Sequence, residues 1–150
     1  MDITIRSARP DDIPRMCDLL AELFSLETDF EVDAVKQTKG LSMLVSDPMG
    51  AAYVNVAVAG YNIIGMATVQ TLVSTAEGGR VGLVEDVIVD RRFRCRNVGT
   101  QLIEGIIACS REQGLARLQL LADRDNHQAL DFYVSQGWTF TKLICLRKHP

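Results

Sequence analysis

Apolar and polar positions alternate over residues 3–8, where Ile3 and Ile5 are separated by Thr4 and Arg6, and this period of two predicts a half-buried strand. From Pro10-Asp11-Asp12 the period lengthens. Ile13, Met16, Leu19, Leu20, Leu23 and Phe24 recur every three or four residues and give one face of a helix, with the two aspartates in its first turn, where the helix dipole favours negative charge. A second, shorter helix is predicted over residues 33–45 and ends at the breaker Ser46-Asp47-Pro48-Met49-Gly50. Residues 52–59 and 63–73 are β-branched-rich runs joined by Gly60-Tyr61-Asn62, the pattern of an antiparallel hairpin. After a loop containing Glu77-Gly78-Gly79, residues 81–89 are nearly continuous in Val, Leu and Ile, as expected of a central strand covered on both faces.

Helical spacing returns over residues 97–111 through Val98, Leu102, Ile103, Ile106 and Ile107, and Gln113-Gly114 closes it. Residues 117–122 read as another strand. Asn126 can cap a last helix carrying Ala129, Leu130, Phe132 and Tyr133, which stops at Gly137, and residues 138–146 supply one or two closing strands. The order β, α, α, β, β, β, α, β, α, β begins with antiparallel neighbours and ends with a β-α-β crossover. That order places the chain in the α/β (α+β) class, with a mixed sheet and helices on its faces. No repeat or linker divides the sequence, so residues 1–150 are expected to form a single domain.

Composition narrows the function. The chain has 150 residues, 47% of them apolar and 23% charged, and no apolar run approaches the roughly 20 residues of a membrane span. The strand-like amino terminus lacks the basic patch and apolar run of a secretion signal, which leads us to expect a cytoplasmic protein. Cys17, Cys95, Cys109 and Cys145 show no paired spacing, arguing against a disulfide framework and against a metal site. A net charge of −3 gives no field for general nucleic-acid binding. Arg91, Arg92, Arg94 and Arg96 reverse that sign locally, and they call for an anionic partner.

Those arginines lie between the run Val84-Glu85-Asp86-Val87-Ile88-Val89-Asp90 and the helix that follows. Backbone N–H groups of such a loop and of the first helical turn have no intrahelical acceptors and point at a bound anion with the helix dipole behind them. Asn97 and Gly99 tolerate the backbone angles that such a wrap requires. By residue type alone the same stretch serves equally well as a solvated turn. It is not a P-loop, because no Gly-Lys-Ser/Thr closes it, nor a dinucleotide fingerprint, which needs three glycines.

The run Arg94-Cys95-Arg96-Asn97-Val98-Gly99 resembles the acyl-CoA pyrophosphate loop of the GNAT superfamily, Arg/Gln-x-x-Gly-x-Gly/Ala, placed after a Glu-Asp-bearing strand as in that family. Asn97 stands where the first glycine is usual, and Cys95 where a further glycine is frequent. The stretch Asn126-His127-Gln128-Ala129-Leu130-Asp131-Phe132-Tyr133-Val134-Ser135-Gln136-Gly137-Trp138 resembles the family's Asn-x-x-Ala-x-x-Phe-Tyr-x-x-x-Gly-Phe signature and differs in the final aromatic. The resemblance implies a mixed, mostly antiparallel sheet of six to seven strands flanked by about four helices. It also implies N-acetyl transfer from acetyl-CoA to a primary amine.

Carried onto matching positions, the resemblance assigns the pantetheine arm to the backbone around Val87, Ile88 and Val89, and the pyrophosphate to Arg94, Cys95, Arg96, Asn97, Val98, Gly99 and Thr100. Asn126 would contact the CoA arm. Tyr133 would lie near the sulfur and protonate the leaving thiolate; a phenol and a thiol have pKa values about 1.5 units apart, so the transfer needs no large shift. An amine must lose a proton before it attacks. Glu85 is the candidate base, because alternation puts it on the face of Leu83, Val87 and Val89, mid-strand, where an unpaired carboxylate is costly to bury. A structural carboxylate paired with an arginine is the competing role. Asp86 is expected on the opposite face with a structural partner.

Other residues attract less. His127 is expected to face solvent, Cys95 has no base partner, and Cys17, Cys109 and Cys145 read as core. The acceptor in such enzymes is usually shaped by the link between the first two helices, here Leu26-Glu27-Thr28-Asp29-Phe30-Glu31-Val32-Asp33, whose acids favour a cationic amine or simply face water. A small-molecule amine is the expected acceptor and a peptide N-terminus the alternative. A non-catalytic acyl-CoA-binding or protein-interaction module is a second reading, and retention of Tyr133 and Glu85 disfavours it. Nucleic-acid binding lacks interleaved aromatics. A homodimer through an exposed sheet edge is compatible with the family.

Overall fold

A computed structural model describes residues 1–27 and 29–150. Thr28, part of the helix link named above, lies outside the described residues. The chain divides into two compact units, residues 1–119 and 120–150.

The first unit is built on a sheet ordered β1 (Ile3–Ser7), β2 (Ala52–Ala59), β3 (Asn62–Ser74), β4 (Gly79–Val89) and β5 (Leu118–Leu120), the last of which crosses the boundary between the units. The first four strands pair antiparallel in sequence order. Between β4 and β5, Ala116 N–H bonds to Arg80 O and Gly82 N–H to Arg117 O, both at 2.9 Å. These bonds advance along both segments in the same sense, so the last connection is the expected parallel crossover.

Pro10–Asp12 forms a 3-10 turn rather than the start of the first helix, and α1 runs Ile13–Leu26. The Asp12 side chain is turned back, accepting from the Arg9 N–H at 2.7 Å and from both ends of the Arg6 guanidinium. Helix α2 (Ala34–Val45) opens at Asp33, whose carboxylate accepts from Lys36 N–H at 3.1 Å. Both helices cover one sheet face: Met16, Leu19 and Leu20 of α1 and Leu41 of α2 pack with Val54, Val56, Met66 and Ile88.

The other face takes α3 (Val98–Glu112), which buries Leu102, Ile103 and Ile106. Helix and sheet approach closely because glycines line the contact. A Cβ on Gly65 would sit 3.0 Å from both Ile88 O and Leu102 Cδ1, and one on Gly105 2.9 Å from Ile5 Cγ2.

In the second unit, α4 (His127–Ser135) is capped by Asn126, whose side chain accepts from Ala129 N–H at 3.1 Å. Its end is a Schellman closure. Trp138 N–H bonds to Tyr133 O, Gly137 N–H to Val134 O, and Gly137 takes φ 86°, which glycine adopts without a Cβ penalty. The Tyr133 and Trp138 rings, 6.0 Å apart, supply the apolar contact that accompanies this motif.

Among the described residues the mixed, mostly antiparallel class and the four helices agree with the sequence, but the sheet has five strands rather than six or seven. Residues 138–146 form no strand: Phe140, Leu143, Ile144 and Leu146 are exposed, and without a neighbouring ladder β propensity cannot fix a strand. Cys145 lies exposed there, contrary to the expected core position, while Cys17 and Cys109 are half-buried.

Candidate active site

Strand β4 carries a bulge that alternation does not reveal. Thr68 pairs with Glu85 and Met66 with Ile88, so Asp86 and Val87 together oppose Ala67, and Asp86 takes φ 53°. The extra residue reverses the phase of the strand. Register partners share a face, so Glu85 lies with Thr68 on the α1/α2 side, as Ile88 does with Met66, while Val89 follows Gly65 toward α3. Glu85 therefore shares its side with Leu83 and Ile88, not with Val87 and Val89, and it is exposed rather than buried.

Asp86 is the withdrawn carboxylate. The expectation of the opposite face fails, because its left-handed backbone brings Oδ2 to 3.3 Å from Thr68 Oγ1, which also lies 2.9 Å from Glu85 O. Burial pushes the Asp86 carboxyl up to about 6, the charge of Glu85 adds to the rise, and the Thr68 hydrogen bond opposes it.

Beyond the bulge, the outer edge of β4 has no strand partner among the described residues, although Val89 O accepts from Arg94 Nε. The strand β5 has three residues, in step with β4 from residues 80–82, so it ends before Val87. Among the described residues no strand covers the outer edge of Val87, Ile88 and Val89.

Asp90 then turns the chain. It is buried and caps a 3-10 turn at Arg91–Phe93; its carboxylate accepts from Arg92 N–H (2.9 Å), from Arg92 Nε and Nη2 (3.1 and 2.7 Å), and from Arg15 of α1. Hydrogen bonding from Arg92 holds this carboxyl far below the usual carboxylate range. Arg94 donates from Nε to Val89 O at 3.0 Å and from Nη2 to Glu22 Oε1 at 2.7 Å. The same Glu22 oxygen accepts from Arg91 N–H at 3.1 Å.

Directly past Arg94 the backbone turns left-handed. Asn97, at the first glycine position of the motif, and Cys95, where a further glycine is frequent, take φ 63° and 58°, whereas Gly99, also expected to take an unusual angle, lies in the first turn of the helix without a positive φ. Helix α3 follows at Val98, and the Asn97 side chain does not cap it, unlike Asp33 and Asn126 at α2 and α4. The amides of Val98, Gly99 and Thr100 precede the first main-chain helix bond, Gln101 N–H to Asn97 O at 3.1 Å, and so have no intrahelical acceptor. They point a set of donors and the dipole's positive end at one place.

The arginine cluster is less open than its sequence suggests. Arg92 is engaged by Asp90 and Arg94 by Glu22, while Arg91 and Arg96 are exposed and the Arg96 guanidinium lies 5.7 Å from the Phe93 ring centroid. Sequence reasoning passed over Asp90 and Glu22. An aspartate directly before Arg91-Arg92 is a capping signal that reveals the first; nothing local marks the second, which acts across 72 positions.

Of the remaining candidates, Asn126 and Tyr133 belong to the second unit. Asn126 is the α4 cap, and Tyr133 is half-buried between Phe132 and Trp138. His127 is exposed, as expected.

A bulged strand whose outer edge has no strand partner among the described residues, a left-handed basic loop and an uncapped helix start follow one another along this mixed α/β fold. The acetyltransferase (GNAT) family model matches residues 13–138, and the chain belongs to that family. No curated protein matches it. Among solved structures, a transcriptional regulator from Bacillus halodurans C-125 superimposes with a TM-score of 0.85 at 25% identity, with 99% of each chain covered. A possible acetyltransferase from Clostridium difficile 630 gives 0.85 at 20% identity, over 99% of this chain and 97% of that one. Glucosamine-6-phosphate N-acetyltransferase from Arabidopsis thaliana gives 0.75 at 21%, over 99% of both. The last two are likenesses of fold.

Proposed function

We propose that residues 1–150 act as one acetyltransferase domain that moves an acetyl group from acetyl-CoA to the primary amine of a small molecule. The observation that carries this reading is the loop at residues 94–100, where two left-handed residues lead into helix amides without acceptors. Those amides suit the diphosphate, and the uncovered edge at Val87–Val89 suits the amide groups of the pantetheine arm. Acetyl-CoA supplies an activated thioester.

The chain's own residues then manage two protons. As the amine nitrogen bonds to the acyl carbon and the C–S bond breaks, one proton leaves the amine for a carboxylate on β4, and the Tyr133 hydroxyl protonates the departing thiolate. Glu85, exposed on the α1/α2 side, is the base, directly or through water. A second assignment gives the base to Asp86, favoured by its place in the bulge and its carboxyl near 6, matched to work near neutrality. The acidic limb of the rate profile separates them: it is lost in Glu85→Gln if Glu85 is the base and in Asp86→Asn if Asp86 is.

The function is tested by thiol release from acetyl-CoA across amines, aminoglycosides, amino sugars, amino acids and peptides. We expect turnover with a small amine and a large loss of kcat in Tyr133→Phe at little changed cofactor affinity. Cofactor binding without turnover on any acceptor would favour the non-catalytic module, and turnover confined to peptides the protein-directed alternative.

A further inference from the structure

Helix α1 holds the segment after β4 at two points on one of its faces. Arg15 reaches Asp90 with Nη2 and Ile63 O with Nε at 3.1 Å. Seven residues later, Glu22 meets Arg91 and Arg94. Seven residues are two turns, so both side chains leave the same side of the helix about 10 Å apart.

The second contact is unusual in what it joins. One carboxylate oxygen takes a backbone N–H and a guanidinium from the same loop, and that guanidinium is fixed at its other nitrogen by Val89 O. Glu22 and Arg94 are 26% and 33% exposed and 2.7 Å apart, a sheltered, charge-assisted bond, whereas Lys36 lies largely in solvent 3.9 Å from Asp33. Directly beyond Arg94 stand Cys95 and Asn97, two non-glycine residues in left-handed geometry, which persists only where neighbouring structure fixes it.

We infer that Glu22 is a positioning residue for the cofactor loop: through Arg91 N–H and the Arg94 guanidinium it fixes the loop whose amides receive the diphosphate. The inference rests on the function proposed above. Without this contact the turn must be ordered when the cofactor binds, which weakens affinity and leaves the reacting groups untouched.

The test compares wild type with Glu22→Ala, Glu22→Gln, Glu22→Asp and, as a charge control on the exposed end of α3, Glu112→Ala. Calorimetric Kd for acetyl-CoA and amide hydrogen exchange over residues 91–97 are measured on the full chain, and KM and kcat with an acceptor from the thiol-release screen. Losing one charge-assisted contact predicts about a tenfold rise in Kd and KM for Glu22→Ala with kcat within about twofold. Exchange at residues 91–97 should accelerate before any cofactor is added. Glu22→Gln keeps an acceptor oxygen and should recover most of the affinity, while Glu22→Asp, with its charge but a shorter reach, should not. Glu112→Ala should match wild type. If Glu22→Ala misfolds, the Gln and Asp variants carry the comparison. Wild-type binding with unchanged Kd and exchange in the Ala and Asp variants overturns the positioning role alone; a wild type that does not bind acetyl-CoA overturns the functional reading and this role with it.

Discussion

Cys95 and Asn97 show how far single residues can be read. Asn is the best non-glycine occupant of left-handed geometry, so the turn at Asn97 was legible from residue type and motif together, and φ 63° agrees. At Cys95 the signal was the position and not the residue, since cysteine has no such preference, yet φ is 58°. Left-handed backbone costs an ordinary residue about 1–2 kcal/mol, against about 0.5–1 kcal/mol for the greater freedom glycine loses on folding. Cys95→Gly should therefore stabilise the protein by up to about 1.5 kcal/mol in urea unfolding. Asn97→Val should destabilise it by about 1–2 kcal/mol and weaken cofactor binding; equal midpoints for the three proteins would contradict the left-handed assignment. The sheet faces of Glu85 and Asp86 escaped the sequence for one reason: strict alternation holds only for an unbroken ladder, and the bulge at Asp86-Val87 has no signature in residue type.

Among the elements, those whose contacts lie within their own periodic segment were legible. Helix α3 begins one residue after its expected start, and the β2–β3 hairpin forms across the anticipated turn. Elements that depend on a distant partner were not, as residues 138–146 and the Glu22 contact show. The glycines at the α3 interface belong to the same scale. Gly65 was unremarkable in sequence, yet a Cβ there meets the Ile88 carbonyl, a backbone atom that cannot swing aside. Gly65→Ala should cost about 1–3 kcal/mol through crowding of the β3, β4 and α3 contact. Asp33→Ala, which removes the α2 cap, should cost about 1 kcal/mol while leaving cofactor binding unchanged. A neutral Gly65→Ala in the same unfolding measurement would contradict the close approach.

For the whole molecule, charge makes stability depend on pH in two opposed ways. Hydrogen bonds from Arg6 and Arg92 lower the carboxyls of Asp12 and Asp90, so the stability they contribute is present above about pH 4 and is lost as pH falls below it. Asp86 has the opposite sign. Its folded form holds the proton up to about 6, so its contribution is favourable at low pH and is lost as pH rises from about 4 through 6. Asp86→Asn should therefore raise the melting temperature at pH 7–8, with a gain that shrinks toward pH 4. A constant gain across that range would place the Asp86 carboxyl in water.

The family assignment holds at this scale too, since the match spans residues 13–138 while the solved relatives share 25% identity or less. Such distant chains share a fold, and in this chain the proposed function rests on the run of donors at the start of α3. Calorimetric titration of the protein with acetyl-CoA and, in parallel, with S-acetylpantetheine, which carries the same thioester and arm but neither the diphosphate nor the adenosine 3′-phosphate, sets an upper bound on what those donors contribute. The account predicts saturable binding of acetyl-CoA, with S-acetylpantetheine at least about a hundredfold weaker, since several charge-assisted contacts are lost together. Equal affinities for the two, or no binding of acetyl-CoA at millimolar concentration, would contradict it.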